Sequence, residues 1–226
     1  MTRSTENTIG DIYAAYAAGT LDPGFKLMLE AQAQIRADIA ERMDFASNIS
    51  GAFLEAETPT AMLSGARAAA LSAIDELEQE DATPFGDAAI NAGNTLEEML
   101  SLPENLHDAM FEAVENDGWS RLMNGIERLP LNVSSEAEVE LYRLTPGAKV
   151  PSHRHEGVEL TLVLKGKFSD ETGAFCAGDV SVKGPDDTHT PTVHSDDGIC
   201  YTLAVRDGGL RFTGARGVIQ RIMDIR

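Results

Sequence analysis

The stretch Gly147-Ala-Lys-Val-Pro-Ser-His153-Arg-His155-Glu-Gly-Val-Glu159-Leu-Thr-Leu-Val-Leu-Lys-Gly166 decides how the chain is read. His153, His155 and Glu159 carry side chains of the kind that bind transition metals, and all three fall on odd positions. Side chains alternate faces along an extended chain, so residues i, i+2 and i+6 can share one side. Leu160, Leu162 and Leu164 take the even positions, and that opposite face needs apolar cover of its own. A second histidine segment, His189-Thr-Pro-Thr-Val-His194, could close the site from a neighbouring strand. Imidazoles plus one carboxylate suit zinc, iron, manganese, nickel or copper, and the ligand set alone does not choose among them.

Around this stretch the period is that of strands. Val139, Leu141 and Leu144 flank a strand that ends at the turn Thr145-Pro146-Gly147. Further runs follow at Leu160–Leu164, Val180–Lys183, Ile199–Val205 and Leu210–Thr213, separated by Gly, Asp and Pro. Short strands at this spacing indicate a sandwich or barrel, and the lack of a long internal repeat makes it a single one.

Before Trp119 the period is helical. Ile9, Ile12, Tyr13 and Tyr16 mark one face of a short helix, and Gly19 stands where a left-handed C-terminal residue belongs. Asp22-Pro23 opens a second helix, with Asp22 as N-cap. Met28, Gln32, Ile35, Ile39 and Met43 give that helix a mostly apolar stripe. A third helix is expected from Thr60 to about Gln79. Its stripe is rich in alanine and buries little area by itself. Three such helices make a marginal bundle, and a partner covering the leftover apolar face would stabilise it. The breaker-rich segment after Asp81 reads as a linker. Short helical pieces capped by Thr95 or Ser101 follow, the second over about Glu104 to Val114. His107 is expected at a solvent-facing position there.

The formal charge of -19 and the absence of a Lys/Arg cluster argue against direct binding to nucleic acid. The first 102 residues hold 17 acidic and 5 basic side chains, a balance that suits solvated helix faces or a basic protein partner. Cys176 and Cys200 make neither a disulfide framework nor a C-x-x-C site, and each suits a small buried apolar position. With no apolar leader and no membrane-length apolar run, a soluble cytoplasmic protein is expected.

The spacing G-x5-H-x-H-x3-E-x6-G resembles the first signature of the cupin superfamily, small antiparallel β-barrels with a metal in the lumen. Gly178-Asp-Val-Ser-Val-Lys-Gly-Pro-Asp-Asp-Thr-His189 is similar to the second signature, with its leading glycine and His189 in register. The usual proline and second glycine fall instead on Gly184 and Asp186. The resemblance implies a four-ligand metal site of His153, His155, Glu159 and His189, with His194 as the alternative fourth ligand.

The combination of a helical N-terminus with one cupin resembles the ChrR-type anti-sigma factors. Ala14-Ala15-Tyr16-Ala17-Ala18-Gly19-Thr20-Leu21 is similar to the start of their anti-sigma domain. Glu159–Glu171, Ala177-Gly178-Asp179 and His189-Thr190-Pro191 are similar to their cupin. The family's helical domain carries its own zinc site, and the four corresponding positions here are Asn7, Gln32, Arg36 and Ile39, none a zinc ligand. The helical part must therefore fold without metal, with packing through Ile35 and Ile39 in place of the clip.

The expected fold is α+β with two domains. A small helical anti-sigma-like domain spans 1–80, a linker with a short helix 81–102, and a single antiparallel cupin (double-stranded β-helix) barrel 103–226. The resemblance implies an anti-sigma factor that binds an extracytoplasmic-function sigma factor, with the cupin sensing oxidative stress or a ligand through one divalent transition metal, zinc favoured. The alternatives are a metal-dependent cupin enzyme (a dioxygenase or isomerase whose helical part dimerises) and a non-catalytic small-molecule-binding cupin. No second acid/base or oxyanion group stands out for the enzyme. Arg143, Lys183 and Arg206 could line a lumen, although strand charges commonly face solvent.

Overall fold

The computed structural model describes residues 12–80, 94–207 and 210–212. Asn7, Ile9, most of the expected linker and the chain beyond Phe212 lie outside them. A helical segment at 12–17 leads to Gly19, which takes the left-handed φ of 69°. The helices that follow are α1 (Pro23–Ile35), α2 (Ala37–Ala56), α3 (Ala66–Glu80), α4 (Asn94–Leu100) and α5 (His107–Asn116), with a 3-10 turn at Glu104–Leu106 before α5. The Asp22 carboxylate accepts from the Gly24 amide at 2.8 Å, and Pro23 fills the first turn, where its missing N–H leaves nothing unpaired.

Two helix expectations are corrected. The stripe from Met28 to Met43 does not run through one helix, because Arg36 is extended (φ −124°, ψ 106°) and separates α1 from α2. No Pro or Gly lies near this break. Tertiary contacts hold it instead: the Arg36 guanidinium bonds both oxygens of Asp38 at 2.9 Å and one of Asp179 at 3.3 Å. The third helix starts at Ala66 rather than Thr60, since Gly65 turns the chain at φ 83°.

Among the described residues eleven strands follow: β1 (Ser120–Met123), β2 (Ile126–Pro130), β3 (Glu138–Leu144), β4 (His153–His155), β5 (Val158–Lys165), β6 (Lys167–Asp170), β7 (Gly173–Cys176), β8 (Val180–Lys183), β9 (Thr188–His189), β10 (Cys200–Asp207) and β11 (Leu210–Phe212). All described pairings between them are antiparallel. Among the described residues the ladder does not close into one continuous barrel. It divides into a six-stranded sheet ordered β1-β2-β3-β10-β5-β8, a three-stranded sheet β11-β4-β9 and the β6-β7 hairpin. The fold is α+β, helices followed by a cupin-like antiparallel domain.

The period of two along β5 and β10 sorts the interior. Leu160, Leu162, Leu164, Tyr201, Leu203 and Val205 face the helices and share one core with Met28 and Ala31 of α1 and with Leu102, Leu106 and Met110. This is the cover that the even-numbered leucines required. Glu159, Thr161, Thr202, Ala204 and Arg206 line the lumen on the other face. Gly166 takes φ 79° where the chain leaves β5, and a Cβ there would meet the Ile199 carbonyl oxygen at 2.6 Å.

The helical arm docks on the β-domain at the turn after β7. Gln32 Nε2 donates to the Gly178 carbonyl at 2.9 Å, beside the Arg36–Asp179 contact. Gly178 has φ 87°, and a Cβ on it would lie 2.5 Å from Arg36 Cγ, so only glycine admits this approach. Ile39 is buried with Leu29 and Met43 against Tyr13 and Tyr16, and Ile35 packs on the shared core. Apolar packing thus occupies both isoleucine positions named from sequence.

Candidate metal centre

Three elements converge on one point in the lumen. β4 supplies His153 and His155, β9 supplies His189 directly opposite His153 in the ladder, and β5 supplies Glu159. All four side chains are buried. The Nε2 atoms of His153 and His189 lie 2.9 Å apart, and those of His155 and His189 3.0 Å. These three histidines form a cluster able to hold a metal ion. Glu159 borders the cluster without joining it. Its Oε1 is 3.6 Å from His155 Nε2 and accepts from the Thr161 hydroxyl at 2.9 Å, while its Oε2 is 3.5 Å from Arg206 Nη1. His194 is exposed and pairs with the Ser169 hydroxyl at 2.9 Å, away from the cluster.

The protons decide what fits between the rings. His153 Nδ1 lies 2.8 Å from the Pro151 carbonyl, and His189 Nδ1 lies 3.2 Å from Asp170 Oδ2. Both partners are acceptors, so both Nδ1 atoms carry the hydrogen and the two facing Nε2 atoms present bare lone pairs. Lone pairs at this distance repel unless a cation lies between them. A proton is a poor candidate for that cation. Burial, followed by the His189 charge, pushes His153 and His155 down to about 4. A divalent transition metal, with metal–nitrogen bonds of about 2.0–2.1 Å, suits the donor set.

Residues 108–207 match the family model described as the ChrR cupin-like domain. Over 202 residues the chain is 32% identical to the anti-sigma-E factor ChrR of Cereibacter sphaeroides, covering 89% of both chains. This chain belongs to the ChrR family of anti-sigma factors. Among solved structures, the crystal structure of Rhodobacter sphaeroides SigE in complex with the anti-sigma ChrR matches with a TM-score of 0.65 at 28% identity. The match covers 87% of this chain and 96% of that one.

Within this ChrR-family chain, the three strand charges named from sequence as possible lumen residues fall out differently. Arg206 does not face solvent. It is buried and contacts Glu140, Glu138 at 3.0 Å and the Tyr142 hydroxyl at 3.1 Å. Burial opposes its charge, but Tyr142 and the carboxylates outweigh that and raise its pKa. Its Nε has no hydrogen-bond partner among the described residues. Lys183 is buried as well, 2.8 Å from Asp170 Oδ2. Arg143, the third strand charge, is half-buried and bonds Glu98, Glu127 and Tyr201. One sequence signal was available for Arg206: it directly follows the strand-like run Ile199–Val205, and the structure buries every residue from Cys200 to Arg206. Asp170 gave none, since Ser169-Asp-Glu-Thr-Gly reads as a solvent turn. His107 is half-buried rather than solvent-facing, with Nε2 3.0 Å from the Leu102 carbonyl. Cys200 is buried, which pushes its thiol up to about 12, whereas Cys176 is exposed rather than buried.

Proposed function

We propose that this chain is a cytoplasmic anti-sigma factor that holds an extracytoplasmic-function sigma factor on its helical arm. The observation that carries this reading is an apolar face that the chain leaves exposed. Phe45, Ile49 and Phe53 recur every four residues along α2 at 67%, 44% and 73% exposure, next to Leu54 at 75%. Met62 and Leu63 before α3, and Leu71 and Ile74 on it, are exposed as well. Large apolar side chains exposed together along a helix face mark a binding face. The acidic excess of the same half favours a partner with basic surface, and the relative seen in complex with SigE supports the partner class. Among the described residues no helix is long and apolar enough to cross a membrane.

One divalent transition metal would sit among His153, His155 and His189, with Glu159 as the fourth ligand and zinc the favoured ion. Once held, it would relieve the lone-pair repulsion and tie β4, β9 and β5 together, so that its loss or oxidation nearby would alter the domain on which α1 rests. A second reading, a ligand-binding or catalytic cupin, draws on a cavity of about 70 Å³ beside the histidines, lined by Tyr142, Thr202, Arg206 and apolar side chains.

Expression with a candidate sigma factor in a heterologous host, reading a promoter that factor drives, separates the two. Repression by the native chain, relieved by Phe53→Asp, supports the anti-sigma reading. Full promoter output in its presence removes that reading. A homodimer covering the same face would appear as a doubled mass of the isolated chain that falls to monomer in Phe53→Asp.

A further inference from the structure

The β6-β7 hairpin turn grips the strand that carries His189. β9 is only two residues long and, among the described residues, pairs only with β4, so its own ladder fixes it weakly. The turn supplies what the ladder lacks. Asp170 Oδ2 accepts from His189 Nδ1 at 3.2 Å, and the Glu171 carboxylate accepts from the Thr190 amide at 2.9 Å. Asp170 is itself fully engaged. Its Oδ1 takes the Thr172 amide at 2.7 Å and the Thr172 hydroxyl at 2.6 Å, and its Oδ2 also takes the Lys183 ammonium at 2.8 Å. The side chain of Asp170 is 0% exposed and that of Lys183 4%. Lys183 lies opposite Glu159 in the β5-β8 ladder, yet its ammonium reaches Asp170 and donates to the Thr172 hydroxyl at 2.8 Å.

A buried Lys–Asp pair adds little to stability, since an apolar pair of similar volume often serves as well. Its chemistry has a local use here. The carboxylate can only accept from His189, which forces the hydrogen onto Nδ1 and turns Nε2 toward His153 and His155 as a bare donor. We propose that Asp170 is the positioning residue of the metal centre: it fixes the tautomer and aim of His189, and Lys183 balances its buried charge so that it can do so. The proposal rests on the metal reading above only for its effect on affinity.

The test uses the full chain and cobalt(II) as the metal. Nitrogen-15 NMR of the metal-free native chain should find His189 protonated on Nδ1. The double variant Asp170→Leu/Lys183→Met removes both charges together and leaves no unpaired ion in the interior. It should lose that tautomer preference, bind cobalt about 10–100-fold more weakly and show a shifted visible spectrum of the bound cobalt. Native-like affinity and spectrum in the double variant, or His189 protonated on Nε2 in the native chain, overturns the proposal. If the double variant does not fold, the native tautomer decides alone. A native chain that binds no cobalt yet keeps the Nδ1 tautomer removes the metal reading and leaves the positioning contact standing.

Discussion

The β-domain and the helical arm break the usual rule of apolar inside and polar outside in opposite directions. The β-domain buries Glu159, Lys183, Arg206 and three histidines, while the arm exposes Phe45, Phe53 and Leu54. Each departure is unfavourable for the isolated chain. Buried polar groups need partners, and exposed aromatic rings forgo about 1.5–3 kcal/mol of burial apiece. On the proposed reading the two departures have one explanation: an ion would complete the first region and a partner surface the second. They meet at α1, whose Met28 and Ala31 belong to the core of the β-domain.

The contrast breaks most readily at that shared core. Leu106 is fully buried in that shared core, and Leu106→Ala should cost about 2–5 kcal/mol, measured by urea unfolding. Loss of α1 and the β-domain in one transition is expected, and two separate transitions would show that the arm is independent. Metal removal comes next. Stripping the ion with a chelator should lower stability by about 3 kcal/mol for a metal at a hundred times its dissociation constant, and His153→Ala should abolish that difference.

Gly178→Ala sharpens the comparison, because it strains a left-handed residue and drives a methyl into Arg36. A loss of about 1–3 kcal/mol is expected, with faster amide exchange in α1 and little change in metal binding. Phe53→Asp should change the stability of the free chain by less than about 0.5 kcal/mol, because the ring touches little. A larger loss would show that the face is already covered within the chain. The smallest effect concerns Glu98, whose carboxyl is held below its ordinary value chiefly by the Tyr201 hydroxyl and by Arg143. A depressed carboxyl stabilises the fold above its ordinary value and loses that contribution as pH falls through its folded value. Glu98→Gln should therefore flatten the acid limb of the stability curve.

The histidines that cluster in the lumen and the alternation of β5 were legible in the sequence, because both follow from a period of two and from the few side chains able to ligate metals. The break at Arg36 was not, because the local sequence favours helix and only Asp38, Gly178 and Asp179 reveal the turn. Asp170 was hidden for a related reason, and Lys183 was visible only as one of three strand charges that could line a lumen. A turn aspartate and a strand lysine are ordinary surface residues until the fold places them together in the interior. Sequence showed the donors, whereas the residues that aim them came from contacts distant in the chain.

Size-exclusion chromatography with mass determination, on the native chain purified after co-expression with an extracytoplasmic-function sigma factor, tests the central claim most directly. The account predicts a one-to-one complex that Phe53→Asp dissolves while its β-domain stays folded. A native chain that elutes free of the sigma factor, or a complex indifferent to Phe53→Asp, contradicts it.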